Sequence, residues 1–432
     1  MNVDFPRFDM QADPVRQRRF LQPIVWLLTL PAVRLQKTRI EKIRCEGLKP
    51  PYILLGNHNA FFDFKVATRA IFPHRANYIV AIDGFIGREW LLRQVGGICK
   101  RKFTRDLQLI RQIRKVMENG DILILYPEAR YSLCGTTAVL PDALGKLCKM
   151  MGVPVVTLTC HGHHINSPFW NLKKRKLPYT TAEMRQLFTA QEVQEASAAQ
   201  INAAIRQAFE YDEFAWQKQQ GIRVTEPFRA EGLHKVLYQC PACGTEYRMD
   251  SKGTELFCTA CGKRWRMTEL GELEAVEGET EFSHIPDWYE WERAQVRREV
   301  EAGTYCFEAE CHVNSLPNAK KYIPIGTGTL RHDMNGFSVR GEGPYGPFEM
   351  EISAKELYSC HIEYEYLGKY GDCVDLNTLE DTWYVYPHGR DFAVTKFALA
   401  TEELFAYYRR QRPGRRAEQP AADPAPEQAD VS

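Results

Sequence analysis

Tyr52-Ile53-Leu54-Leu55-Gly56-Asn57-His58-Asn59-Ala60-Phe61-Phe62-Asp63 holds a strand, a turn and the start of a helix. The apolar run from Tyr52 to Leu55 reads as a short buried strand, and the helical pattern begins at Asp63. A His and an Asp five apart lie about 140° apart around a regular helix, on different faces. They meet only if His58 stays in the turn while Asp63, in the first helical turn, reaches back. The product is a neutral imidazole with one nitrogen held by a carboxylate, which is what a general base requires. A surface histidine beside an N-capping aspartate is the plain alternative.

Outward from this stretch, from Arg44 to about His164, strand and helix patterns alternate. Strand-like runs rich in Ile, Val and Leu fall at 52–55, 77–82, 121–126 and 153–159. Helical stretches lie between them at 63–72, 105–118 and 141–151. Leu107, Ile110, Ile113 and Val116 recur every three residues, as on one buried helix face, and Asn119-Gly120 suits a left-handed stop. The alternation predicts an α/β domain with a mostly parallel sheet. Ligands of such sheets usually bind at the carboxyl ends of the strands. His58 follows one such end and Glu128 another.

The second end reads Leu125-Tyr126-Pro127-Glu128-Ala129-Arg130-Tyr131-Ser132. A carboxylate close to a guanidinium after a buried strand suits phosphate recognition, with Arg130 as bidentate donor. A structural ion pair looks the same in sequence. Between the two ends, Gly96-Gly97-Ile98-Cys99 leads into Lys100-Arg101-Lys102. Here glycine admits close backbone approach and the cations suit a phosphate, or the segment is only a solvated turn.

Together these blocks resemble the glycerolipid acyltransferase family, of the 1-acyl-glycerol-3-phosphate acyltransferase type. The family's His-x4-Asp block corresponds to His58 through Asp63, and its Gly-containing basic block to Gly97 through Lys102. Its Pro-Glu-Gly-Thr-Arg block corresponds to Pro127-Glu128-Ala129-Arg130, and its Val-Pro strand to Val153-Pro154-Val155-Val156. The separation of 70 residues between His58 and Glu128 is also similar. The resemblance covers roughly 20–215. One departure stands out: Arg130 is two residues after Glu128, where the family places its Arg three after.

The resemblance implies that His58 removes the proton of a lysophospholipid hydroxyl while Asp63 fixes the tautomer. The oxygen then attacks acyl-CoA or acyl carrier protein directly, with lysophosphatidate as the implied acceptor and phosphatidate as product. Arg130, with Arg101 or Lys102, would hold the acceptor phosphate. Gly97 would let backbone approach it, and Glu128 would position the arginine or a glycerol hydroxyl. No metal is needed. The contrasting expectation is a non-catalytic adaptor, in which a degenerate acyltransferase domain and a zinc ribbon bind lipid or protein.

Four further features complete the chain. Pro23 to Val33, with Trp26 and basic flanks at Arg16, Arg18, Arg19, Arg34, Lys37 and Arg39, suits the interface of an anionic membrane or a helix packed on the next domain. His161-Gly162-His163-His164 reads as a loop lining the cleft rather than a metal site. Thr180-Thr181-Ala182-Glu183 and Thr189-Ala190-Gln191-Glu192 both read as capping boxes opening helices. Cys240-x2-Cys243, 14 residues, then Cys258-x2-Cys261 has the spacing of one tetrahedral thiolate site, with structural Zn2+ as the expected ion.

From about 282 to 411, a charged helix at 288–301 precedes strand-like runs and an amphipathic helix at 401–410, a pattern resembling a pleckstrin-homology or GRAM module. The expected organisation is an interfacial segment at 1–43, an α/β acyltransferase domain at 44–222, a zinc ribbon at 235–272, a mainly-β domain at 282–411 and a disordered tail at 412–432.

Composition narrows the partners. A net charge of +1 over 432 residues gives no global attraction to nucleic acid, so none is expected as a partner. The 13 cysteines are scattered apart from one cluster, which is not a secreted disulfide framework and points to a reducing, cytoplasmic setting. No apolar run reaches the roughly 20 residues that cross a bilayer. Peripheral association with the cytoplasmic membrane surface is therefore the expected location.

Overall fold

The computed structural model describes residues 5–411, so the expected tail at 412–432 lies outside the described residues. The first unit contains β1 (Arg39–Ile43), β2 (Ile53–Gly56), β3 (Ala76–Ala81), β4 (Gly97–Lys100), β5 (Ile122–Leu125), β6 (Val155–His161) and β7 (Thr181–Phe188). They form one sheet in the order β1-β7-β6-β2-β5-β3-β4. β6, β2, β5, β3 and β4 run parallel, while β7 is antiparallel to β6 and carries β1 parallel to itself. The expected mostly parallel α/β domain is the one found.

Its helices are α1 (Gln22–Leu35), α2 (Asp63–Ala70), α3 (Glu89–Gln94), α4 (Leu107–Glu118), α5 (Leu144–Met151), α6 (His163–Asn166), α7 (Ala190–Glu195), α8 (Ala198–Ala208) and α9 (Glu213–Gln219). Alternation along β2 sorts the core into two layers, as a pleated strand must. Leu54 packs with Val33 of α1 and Val66 and Ala70 of α2. Ile53 and Leu55 pack on the other face with Ile113 and Val116 of α4 and Ile201 and Ile205 of α8.

Three local expectations are corrected. Thr180-Thr181-Ala182-Glu183 opens no helix; it enters β7, whose Ala182, Met184 and Gln186 are buried at every second position. Pairing on both sides outweighs a local cap there. The box at Thr189 does form, reciprocally with Glu192. The buried residues of α4 are Leu109, Gln112, Ile113, Val116 and Met117, whereas Leu107 is exposed. Finally, Gly97 opens β4 rather than a turn, and a Cβ there would lie 2.9 Å from the Leu92 carbonyl oxygen.

The cysteine unit is a small antiparallel sheet of β8 (Met249–Lys252), β9 (Glu255–Cys258), β10 (Arg264–Met267) and β11 (Leu273–Ala275). After α10 (Ile285–Glu301) come β12 (Cys306–Ser315), β13 (Ile323–Asp333), β14 (Gly336–Gly343), β15 (Gly346–Ser353), β16 (His361–Glu363), β17 (Cys373–Asn377) and β18 (Thr382–Pro387). These seven strands form one antiparallel sheet in the order β15-β14-β13-β12-β18-β17-β16. The chain then closes with α11 (Val394–Arg410), which begins well before the expected 401. Asn335-Gly336 lies in the β13–β14 hairpin, with Asp333 paired to Gly336.

The units are not beads on a string. One hydrophobic core runs from Phe103 and Trp170 through Trp265 and Trp288 to Phe397 and Leu404. The cysteine unit is therefore packed into this shared core, through the ring contact of its Trp265 with Trp288 of α10 at 4.9 Å.

Candidate active site

The turn after β2 is fixed by backbone contacts from two neighbouring strand ends. The Asn57 carboxamide pairs both ways with the Cys160 backbone, accepting from its N–H at 2.8 Å and donating to its carbonyl at 2.9 Å. The His58 N–H donates to Glu128 Oε1 at 3.0 Å, and the His58 carbonyl accepts from the Ser132 N–H at 2.9 Å. The imidazole lies between the rings of Tyr126 and Tyr131, each 4.4 Å away. Gly56 makes the first of these possible, because a Cβ there would sit 2.7 Å from the Tyr126 ring.

Asp63 is the first residue of α2 and is buried. Its Oδ2 accepts from His58 Nδ1–H at 3.2 Å and from the N–H groups of Asn59 and Ala60 at 2.7 and 2.9 Å. Its Oδ1 accepts from His163 Nδ1–H at 2.5 Å. Burial alone would raise this carboxyl, but the hydrogen bonds from His163 and then His58 outweigh it and hold the group at about 2. Asp63 is thus a carboxylate at neutral pH. It assigns the proton of His58 to Nδ1 and leaves the Nε2 lone pair free.

His58 opens on a cavity of about 1100 Å³. One wall is apolar and comes from the first unit, including Ile79, Leu107, Leu125, Leu144 and Met150. The facing wall comes from the last unit and includes Tyr358 and, from α11, Phe405 and Ala406. Asp142, at the edge, pairs with both Arg206 of α8 and Arg409 of α11. The cleft of the α/β unit is therefore roofed by a helix lying more than two hundred residues away in sequence.

The residues expected at the acceptor phosphate are placed differently. Arg130 is buried and points at α11, donating to Glu402 Oε1 at 2.7 Å; Glu402 also accepts from Arg293 at 2.7 Å and from the Ser359 hydroxyl at 2.8 Å. Arg101 is buried and donates to the carbonyls of Leu316, Pro317 and Glu380 and to the Thr382 hydroxyl, at 2.7–3.0 Å. Both arginines tie the first unit to the last. Lys102 lines the cavity with its Nζ 3.6 Å from Asp375.

Glu128 is wholly buried and touches neither arginine nor open cleft. Its two oxygens take the His58 and Ala138 N–H groups, with the Tyr211 hydroxyl 3.4 Å away. Burial pushes its carboxyl up to about 7, offset only in part by those N–H groups. The second block therefore builds the first, since Glu128 and Ser132 clamp the backbone of His58 from both sides.

His163, expected on a loop lining the cleft, instead opens α6 and is buried against Asp63, a role that the sequence reading did not give it. The histidine-rich segment follows β6, a third carboxyl end of the parallel set, and that position was the available signal. Its members separate in space. His161 pairs with Glu213 at 3.1 Å and stacks on Trp216, His163 sits under Asp63, and burial pushes His164 down to about 3.

The four cysteines converge elsewhere. Cys240 and Cys261 sulfurs are 3.8 Å apart, as are those of Cys243 and Cys258. A tetrahedron of Zn–S bonds of about 2.3 Å has edges of about 3.8 Å, so the donor set fits the ion.

The first unit has likenesses among known proteins. Residues 34–161 match the model of a family described as Acyltransferase, which supports acyl transfer as its chemistry. Among solved structures, the chain is similar to the 1-acyl-sn-glycerophosphate (LPA) acyltransferase PlsC from Thermotoga maritima. The identity is 14%, the match covers 44% of this chain and 77% of that one, and the TM-score is 0.36. No curated protein matches the chain.

Proposed function

We propose that the protein is an O-acyltransferase that moves a fatty acyl group from acyl-CoA or acyl carrier protein to the free hydroxyl of a lysophospholipid. The observation that carries this is the His58–Asp63 pair, with Nε2 free, at the end of a large, mainly apolar cavity. His58 Nε2 takes the hydroxyl proton as the oxygen attacks the thioester carbon. The C–O bond forms, the C–S bond breaks, and the departing thiolate receives the proton back from the imidazolium. Asp63 stays ionised throughout and stabilises that imidazolium. The apolar wall takes the acyl chain, for which burial of each CH2 is worth about 0.8 kcal/mol. Lysophosphatidate remains the acceptor that the motif resemblance implies, although Arg130 is engaged by Glu402.

Membrane access belongs to the same reading. Ile24, Leu27, Leu28 and Leu35 of α1 are exposed while Thr29 and Val33 are buried, so one face packs and the other is an apolar stripe. No helix among the described residues is long and apolar enough to cross a membrane. We propose that this stripe, with its basic flanks, lies in the interface of an anionic cytoplasmic membrane. We also propose that Cys240, Cys243, Cys258 and Cys261 hold a structural Zn2+. The unit at 282–411 is proposed as a pleckstrin-homology or GRAM-like module that roofs the cleft.

Transfer of a radiolabelled acyl group from acyl-CoA and from acyl carrier protein to a panel of lysophospholipids tests the reading. Product that disappears in His58→Ala supports it. Transfer that persists in the variant, or none from any pairing by folded protein, removes it and leaves the adaptor.

A further inference from the structure

A second cavity, of about 700 Å³, lies behind the His58 turn and is unused by the chemistry above. Asn59, Ala60 and Phe61, the residues directly after His58, form one wall. Tyr131, which packs on the His58 ring, forms the next. The other walls come from 167–173, 231–235 and 363–367, so the first unit, the last unit and the segment leading to the cysteine unit all contribute.

The lining is aromatic and its charges are unevenly paired. Phe169 contacts both Tyr131 and Tyr364 at 5.4 Å between ring centres, making a continuous aromatic wall. At the rim, Lys173 pairs with Glu231 at 2.7 Å and Lys235 with Glu365 at 3.0 Å. Glu363 is different. Its carboxylate meets only the ring of His361, at 2.9 Å, with no lysine or arginine within 4.0 Å among the described residues. Burial holds His361 neutral, down at about 3, and pushes Glu363 up to about 7, a rise that Lys102, farther off than 4.0 Å, offsets only in part. Lys235 Nζ already lies 5.9 Å from the centre of the Tyr364 ring, so a cation on this wall has a precedent within the chain.

Aromatic faces beside a carboxylate that no lysine or arginine contacts recognise quaternary ammonium groups. Lys173 is 61% exposed and is held in a surface pair, and Lys235, itself largely covered, pairs with a Glu365 that is 72% exposed; a pair with one partner in solvent is weak and can give way to a phosphate. We propose that this cavity binds a zwitterionic phosphocholine-type head group, with the ammonium against Tyr364, Phe169 and Glu363 and the phosphate at Lys235 and Lys173. The proposal deepens the acyl-transfer reading and rests on it. It also explains how an acceptor is recognised when Arg130 is already taken by Glu402.

The test is calorimetric titration of the full chain with phosphocholine and with glycerol 3-phosphate, in wild type, Glu363→Gln and Lys173→Ala. Lys173 is 61% exposed, so its truncation leaves the core intact and backs up Glu363→Gln. Phosphocholine is expected to bind about tenfold more tightly than glycerol 3-phosphate, and each variant to weaken it by about five- to tenfold. Equal or tighter binding of glycerol 3-phosphate, or a phosphocholine affinity unchanged in both variants, would overturn the proposal. Acyl transfer to lysophosphatidylcholine and lysophosphatidate, measured alongside, separates the two failures. Phosphocholine binding without transfer to any acceptor defeats the acyl-transfer reading. Transfer to lysophosphatidate without phosphocholine binding defeats only the head-group site.

Discussion

Replacing Asp63 by Asn isolates the charge of the carboxylate that orients His58. Four donors converge on Asp63: the Nδ1–H groups of His58 and His163 and the backbone N–H groups of Asn59 and Ala60. A carboxamide oxygen at the Oδ2 position keeps three of them and turns its NH2 toward His163. His163 then accommodates the change by moving its proton to Nε2, which has no partner in the native arrangement. The turn therefore survives, and what disappears is the negative charge beside the imidazolium of the transition state. Two unit charges about 4 Å apart in a partly polar protein site interact by about 4 kcal/mol. At about 1.4 kcal/mol per factor of ten, that is a loss of about 10³ in kcat.

The assay is acyl transfer at saturating donor and acceptor, with circular dichroism to confirm the fold. KM for the acyl donor should change little, since Asp63 does not line the cavity. A folded D63N enzyme that keeps more than about a tenth of the wild-type kcat would refute the role given to the charge.

Other consequences follow from the same contacts. Glu402→Gln leaves Arg130 and Arg293 without their shared carboxylate, so urea denaturation should show a loss of about 3–5 kcal/mol; a loss below about 1 would mean that the units are held together otherwise. Glu128, at about 7 in the fold against an ordinary 4.5, favours the protonated folded state. That contribution, about 3 kcal/mol, is complete below pH 4.5 and is lost as pH rises through about 7, so Glu128→Gln should flatten the fall in urea midpoint between pH 5 and 8. An unchanged slope would show that Glu128 is not the titrating group. Leu27→Glu with Leu28→Glu should abolish binding to anionic vesicles in sedimentation while leaving the melting temperature within a few degrees, and retained binding would remove α1 as the docking face. Cys243→Ser should reduce bound zinc from one equivalent to none by atomic absorption and lower the melting temperature; full zinc retention would contradict the four-sulfur site.

The local arrangement of the His58 turn was legible in sequence because its determinants are local. A strand, a glycine and a helix start five residues after a histidine leave one way for His58 and Asp63 to meet. The four cysteines were legible for a similar reason, since tetrahedral ligation constrains their spacing. The roles of Arg101, Glu128 and Arg130 were not. Each sits in a block whose residue types suit phosphate recognition, and each is diverted by a partner far away in the chain: Arg101 by the carbonyls of 316, 317 and 380, Arg130 by Glu402, and Glu128 by the backbone of His58, 70 residues earlier. His163 was hidden likewise, 100 residues from the carboxylate it holds.

Sequence alone thus determined the strand–turn–helix order, the parallel sheet and the meeting of His58 with Asp63, because hydrophobic period and turn chemistry act between near neighbours. Only the tertiary structure decided which charges face the cleft. A buried guanidinium goes to whichever acceptor packing brings within about 3 Å, and that depends on where α11 and the last sheet come to rest.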